Sequence, residues 1–81
     1  MREYITIKEA EPREDYTLFV TFSNGKAGIF DVKPYLNKGS VFKAINNPVM
    51  FSGVRIEGGT VMWANDADLC PDCVYLETKF I

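Results

Sequence analysis

The stretch YTLFVTFSNGKAGIFDV, residues 16–32, decides the fold of this 81-residue chain. Two runs rich in β-branched and aromatic residues flank Asn24-Gly25, and this dipeptide between such runs is the strongest short-range signal for a β-hairpin with a type I′ turn. With Asn24 and Gly25 as the two loop residues, the pairing register is fixed. Three cross-strand pairs follow from it: Val20 with Ile29, Phe22 with Ala27, and Phe19 with Phe30.

Both faces of the predicted hairpin carry apolar side chains. One face holds Leu18, Val20, Phe22, Ala27 and Ile29, and the other holds Val32 with the Phe19–Phe30 pair. Because so short a chain has little second layer of its own, one face is expected to meet the core and the other to be covered by a helix, a second layer or a partner chain. The interaction face that we predict consists of Phe19, Phe30, Val32 and Tyr35.

Two other segments have strand patterns. REYITIKEAEP, residues 2–12, alternates as a strand does, and Pro12 with the charged residues after it ends the strand. GVRIEGGTVMWA, residues 53–64, predicts a second hairpin with Gly58-Gly59 as its turn. This turn gives two cross-strand pairs whose side chains share the core face: Ile56 with Val61, and Val54 with Trp63.

Short helices are expected in the remaining segments. KPYLNKG, residues 33–39, reads as a loop or one helical turn, and Ser40 is placed as the N-cap of a helix of about two turns that Pro48 ends. The tail is expected to turn at Cys70-Pro71 and to continue as a short helix or a final strand. The predicted fold is therefore α+β: a small single domain over residues 1–81, mostly an antiparallel sheet built from two β-hairpins with one or two short helices.

Composition narrows the function. The chain has no histidine, which removes the commonest general base and the commonest zinc ligand, and its net charge is −2. Scattered lysines do not make the basic face of a nucleic-acid binder, so no nucleic-acid partner is expected. No apolar run is long enough to span a bilayer or to act as a signal peptide, so we expect no membrane association, a cytoplasmic location and reduced thiols.

Cys70 and Cys73 form the one spacing that suggests chemistry. A C-x-x-C pair supplies two of the four ligands of a structural zinc site, so zinc would need two chains, or a mixed site with Asp68 and Asp72. A thioredoxin-like dithiol needs a longer helix and further βα units than the residues after Cys73 provide. The simplest interpretation is two small, partly buried side chains in a turn, with no metal and no cofactor.

An ordered set of features resembles a known family. The set comprises Asn24-Gly25, Phe30-Asp31-Val32, Pro34-Tyr35-Leu36, Trp63, and Asp68-Leu69-Pro71-Asp72-Tyr75. It is similar to the small bacterial proteins grouped as domain of unknown function number 2442, over nearly the whole chain. One departure is Asp66, since relatives commonly have a glycine between the tryptophan and the Asp-Leu pair.

The resemblance implies a compact α+β domain that does not depend on cysteine at positions 70 and 73. Some longer relatives resemble a fusion of this domain with a DNA-binding helix-turn-helix domain. We expect the present chain to contain the first domain without the helix-turn-helix. Proteins of this kind are suspected of pairing with another small protein encoded beside them, as in toxin–antitoxin-like operons.

Three hypotheses follow from these observations. The first is a non-enzymatic interaction module, of an antitoxin-like or regulatory kind, that binds a partner protein or a second copy of itself as a homodimer. The second is a zinc-bridged or redox-responsive dimer through Cys70 and Cys73. The third, an enzyme that uses Asp31, Asp66, Asp68 and Tyr75, has the least support because no histidine or phosphate-binding loop accompanies these residues.

Overall fold

The structure, a computed structural model, describes residues 5–65 and 67–81, and over these residues it is α+β, as predicted. The strands are β1 (Ile7–Pro12), β2 (Thr17–Phe22), β3 (Ala27–Asp31), β4 (Arg55–Glu57), β5 (Thr60–Met62), β6 (Asp68–Leu69) and β7 (Lys79–Phe80). The helical segments are a 3₁₀ turn at Lys33–Tyr35, α1 (Ser40–Lys43), α2 (Pro48–Phe51) and α3 (Pro71–Glu77).

The strands form two antiparallel sheets. The first has the order β1-β2-β3-β7, so the last strand returns to pair with β3, and the second has the order β4-β5-β6. The start of β1 joins the sheets, because the amide of Ile7 donates to the carbonyl of Gly59 across 2.9 Å. Gly59 is needed at this junction, since a side chain there would collide with Thr6.

The register predicted for the β2–β3 hairpin was wrong by one residue. Phe19 pairs with Ile29, and Leu18 pairs with Phe30. The loop has three residues instead of two, because the amide of Phe22 donates to the carbonyl of Lys26 and Gly25 takes the left-handed conformation with φ of +86°. This is the three-residue loop with a glycine bulge.

The observed register has a clear physical advantage. It puts four large side chains on the same face of the sheet, and all four are fully buried: Leu18, Val20, Phe22 and Phe30. Burial of a large apolar side chain stabilises the fold by about 1.5–3 kcal/mol, whereas loops of two and three residues are both common. The core therefore selects the register.

The second hairpin has the predicted turn. Gly58 and Gly59 have φ of +57° and +79°, as a type I′ turn requires, and Ile56 pairs with Val61. The ladder ends at the Arg55–Met62 pair, so Val54 and Trp63 lie just beyond it. Val61 and Trp63 are fully buried, while Val54 and Ile56 are half-buried against the core.

The middle helix is shorter than predicted. Gly39 occupies the N-cap of α1, Ser40 lies inside the helix, and the helix has a single turn. Pro48 does follow it, but Pro48 also begins α2, which the sequence interpretation missed. The Asn47 side chain caps α2 by accepting a hydrogen bond from the amide of Met50.

The tail contains both elements that were offered as alternatives. The chain turns at Cys70-Pro71 as predicted: Cys70 is the N-cap of α3, Pro71 is its first residue, and β7 follows the helix. The ring of Tyr75 lies edge-on to Phe22 with centroids 4.9 Å apart, and Phe80 packs on Tyr75 at the same distance. These aromatic contacts hold α3 against the buried face of the first sheet, in which β7 is the strand next to β3.

One buried cluster draws side chains from both sheets and from α3: Ile7, Leu18, Val20, Phe22, Phe30, Val32, Leu36, Ile45, Phe51, Val61, Trp63, Ala67, Leu69 and Val74. The opposite side of the first sheet contributes nothing to this cluster. Within the described ranges, no helix has the length and apolar character needed to cross a membrane.

Candidate functional site

The outer face of the first sheet has an apolar centre. Phe19 and Ile29 are directly opposite each other on β2 and β3, and the next pair is Thr21 with Ala27. All four side chains are half-buried, and Phe19, Ala27 and Ile29 do not pack against the core cluster. Paired residues in an antiparallel sheet project to the same side, so this centre is one continuous patch.

Charged residues flank the apolar centre on both sides. Glu9 and Glu11 of β1 pair with Thr21 and Phe19, and Lys79 of β7 pairs with Ile29. We call the whole set the outer face: Glu9, Glu11, Phe19, Thr21, Ala27, Ile29 and Lys79. Two carboxylates against one ammonium give this surface an acidic edge.

The predicted interaction residues do not form one surface. Phe30 and Val32 are fully buried in the core, so neither is exposed. Phe19 belongs to the outer face, whereas Tyr35 packs on the opposite side against the Phe30 ring, with centroids 5.8 Å apart. The prediction placed Phe30 beside Phe19 because of the one-residue register error, and a shift of one residue moves a side chain to the other face.

Tyr35 has a structural contact of its own. Its hydroxyl donates to the carboxylate of Glu77 across 2.6 Å, which ties the 3₁₀ turn to the end of α3. This hydrogen bond, together with desolvation and the charge of Glu77, raises the pKa of Tyr35 to about 12. The group is therefore neutral at physiological pH.

A cleft lies at the end of the first sheet, between the β1–β2 turn and α2. It encloses about 240 Å³ and is lined by Pro12, Arg13, Glu14, Tyr16, Pro48, Phe51 and Ser52. We call it the Tyr16 cleft. The Tyr16 ring meets Phe51 edge-on with centroids 5.1 Å apart, and Phe51 in turn lies against the Trp63 ring. The wall of the cleft is thus backed by the core.

The backbone at Tyr16 is strained. The β1–β2 turn repeats the hydrogen bonds of the β2–β3 loop, with the amide of Arg13 donating to the carbonyl of Thr17. Tyr16 takes the place that Gly25 has in the other loop, with φ of +61°. The left-handed conformation costs a non-glycine residue about 1–2 kcal/mol, and such strain clusters at functional sites.

The Tyr16 cleft and the outer face are continuous around Pro12. Two further concavities share this proline with the cleft, one along residues 11–15 and the other reaching Phe19 and Thr21. Five charged residues border them: Glu9, Glu11, Arg13, Glu14 and Asp15. These five residues carry a net charge of −3, and the ammonium of Lys33 lies beside them, where it donates to the backbone carbonyl of Asp15. The hydroxyl of Thr17 donates to Asp15 and lowers the pKa of that carboxyl, which keeps it ionised.

Cys70 and Cys73 are both exposed free thiols on the first turn of α3, and not the partly buried groups expected from the sequence. The electrostatic effect of the neighbouring Cys70 is the main factor that raises the pKa of Cys73, which disfavours the nucleophilic thiolate form of Cys73. Across residues 5–65 and 67–81, no three potential ligands of the histidine, cysteine, aspartate and glutamate types come together.

The residues considered for an enzyme have other partners. Asp31 accepts a hydrogen bond from the amide of Lys33 and forms an ion pair with its ammonium at 3.1 Å. The Tyr75 hydroxyl accepts a hydrogen bond from Asn24. Asp68 lies exposed on β6, and Asp66 lies outside the described residues.

Sequence reasoning missed the residues of the Tyr16 cleft. The available signal was Asn47-Pro48, a side-chain cap followed by proline at the first helical position, which predicts α2. Nothing in the sequence marked Tyr16 as left-handed, because tyrosine is not a residue that favours this conformation.

Comparison with known proteins gives one match. The model of the family described as protein of unknown function (DUF2442) matches residues 7–80. No curated protein and no solved structure matches the chain.

Proposed function

This chain belongs to the DUF2442 family, and we propose that it is a non-enzymatic protein-interaction module whose binding surface is the outer face. The observation that carries the proposal is the Phe19–Ile29 pair at the centre of that face. The pair is apolar, half-buried, and covered by no part of the core cluster.

The proposal follows from how antiparallel sheets are built. A sheet with one face on the core normally presents polar side chains on its other face. Here a phenylalanine and an isoleucine occupy the middle of the two central strands, and the charged side chains lie at the sheet's edges. An apolar centre with a polar rim is the common arrangement of protein–protein interfaces.

The biological role that we propose is an antitoxin-like or regulatory subunit of a bacterial cytoplasm. The acidic edge formed by Glu9 and Glu11 supports a basic partner, because complementary charge accelerates encounter and disfavours wrong partners. A second copy of the chain is the other occupant to test, since Lys79 on the far edge could meet these carboxylates.

A photo-crosslinking experiment in the native host tests the proposal. A crosslinking amino acid replaces Phe19 in one variant and Leu76 in another, because Leu76 is 82% exposed and lies on α3, which packs on the opposite side of the first sheet. We expect defined protein adducts from position 19 and none from position 76. Equal labelling at both positions, or no adduct at position 19, would contradict the proposal.

The exposed thiols favour a second candidate, a zinc-bridged or redox-responsive dimer. Each chain offers two thiolates on one helical turn, and two chains would supply the four ligands of a closed zinc site. Elemental analysis of protein purified without chelator provides the test. Zinc below about 0.1 per chain, with no disulfide-linked dimer on oxidation, would eliminate this candidate.

A further inference from the structure

The Tyr16 cleft has three features that the outer face alone does not explain. Its walls are two aromatic rings and two prolines, it is bordered by carboxylates, and a strained residue shapes it. We propose that it receives the side chain of an arginine or lysine from the partner protein. This inference rests on the proposed function, because it names the chemistry of the partner that the outer face binds.

The shape of the cleft favours a single long side chain. Its volume of about 240 Å³ is below the range of about 300–1,000 Å³ that is usual for pockets that bind drug-sized molecules. Arginine and lysine have aliphatic stems that lie well on apolar surface while the charged end remains in contact with water. Pro12, Pro48 and Phe51 provide such a surface.

The charges at the mouth favour a cation. Glu14 lines the cleft directly, and Glu11 and Asp15 lie in the concavity beside it. The Tyr16 ring adds to this preference, because the face of an aromatic ring attracts a cation. Arg13 lines the cleft and the Lys33 ammonium donates to the backbone carbonyl of Asp15, but the carboxylates at this border outnumber these two cations. The local charge therefore disfavours a carboxylate ligand or a phosphate backbone.

The strain at Tyr16 is consistent with this role. In the matching loop, glycine takes the left-handed position without cost. Tyrosine in that position places its ring over Phe51, where it closes one side of the cleft. A glycine would satisfy the turn and leave that side open.

An NMR titration with small probes tests the inference on the intact chain. The probes are Nα-acetyl-arginine amide, the isosteric but uncharged Nα-acetyl-citrulline amide, and the anion Nα-acetyl-glutamate amide. We expect the arginine probe to shift the backbone amide signals of Glu14, Tyr16, Phe51 and Ser52 at low salt. The citrulline probe should bind at least about threefold more weakly, since exposed charge and cation–π contacts are modest.

Two charge-neutralising variants localise the effect. Glu14→Gln should weaken the arginine probe about threefold, whereas Glu57→Gln, which removes the same charge from the β4–β5 hairpin, should change nothing. Equal binding of arginine and citrulline, preference for the glutamate probe, or shifts spread over the whole surface would each overturn the inference. So would the absence of shifts up to the solubility limit.

These outcomes are separable from the test of the proposed function. Adducts at position 19 without arginine binding would support the proposed protein-interaction function and refute the cation-binding role of the Tyr16 cleft. Arginine binding without adducts at position 19 would support a cation-binding role for the Tyr16 cleft and refute the outer face as the partner-binding surface.

Discussion

The indole nitrogen of Trp63 donates a hydrogen bond to the carbonyl oxygen of Phe51 across 2.9 Å, and both residues are buried. This bond ties the end of the second hairpin to α2 and thereby supports the wall of the Tyr16 cleft. Trp63 is therefore a core residue, as predicted from its place on the core face of the second hairpin.

Trp63→Phe should lower the free energy of unfolding by about 2–3 kcal/mol, because it leaves a cavity and removes this buried hydrogen bond. Urea denaturation followed by circular dichroism measures the change, since the variant has no tryptophan left for fluorescence. A loss below about 1 kcal/mol would mean that the indole is not anchored as described.

The β2–β3 register can be tested with two identical truncations on neighbouring strands. Phe30 is fully buried and Phe19 is half-buried on the outer face. Phe30→Ala should therefore destabilise the protein by about 3–5 kcal/mol, and Phe19→Ala by about 1 kcal/mol or less. Similar losses for the two variants in the same denaturation experiment would contradict the register.

Glycine at positions 28 and 25 serves different purposes, and substitution of each by asparagine distinguishes them. A side chain at Gly28 would collide with the backbone of Lys79, so Gly28→Asn should displace β7 and cost about 1–3 kcal/mol. Gly25 has open space around it and needs only a left-handed backbone, which asparagine tolerates. Gly25→Asn should therefore be nearly neutral. Hydrogen exchange at Ile81, whose amide donates to Ala27, should accelerate in the Gly28 variant alone.

The Tyr35–Glu77 hydrogen bond predicts a loss of stability in alkali. The folded-state pKa of Tyr35, about 12, lies above the unfolded value of 10.0, so the native state holds the phenolic proton more tightly. The resulting stabilisation is complete below pH 10 and is lost as the pH rises towards 12. Ultraviolet titration of tyrosinate measures this pKa, and Glu77→Gln should move it towards 10. Tyr35→Phe identifies which transition belongs to Tyr35.

Much of the local structure could be read from the sequence because it depends on residues close together in the chain. Gly58-Gly59 supplies two consecutive left-handed positions, which fixes the second hairpin at two loop residues. Pro71 at the first helical position marks the start of α3. The α+β class follows from these short signals in succession.

Tertiary structure decided the rest, because there the local alternatives have similar energies. Loops of two or three residues are both compatible with Asn24-Gly25. The observed register is the one that buries Phe30 on the same face as Leu18, Val20 and Phe22. That choice moved the exposed apolar pair from Phe19–Phe30 to Phe19–Ile29. The Tyr16 cleft likewise joins residues 12–16 with 48–52. Packing on Phe51 and a hydrogen bond from the amide of Val32 hold Tyr16 in a conformation that its own sequence disfavours.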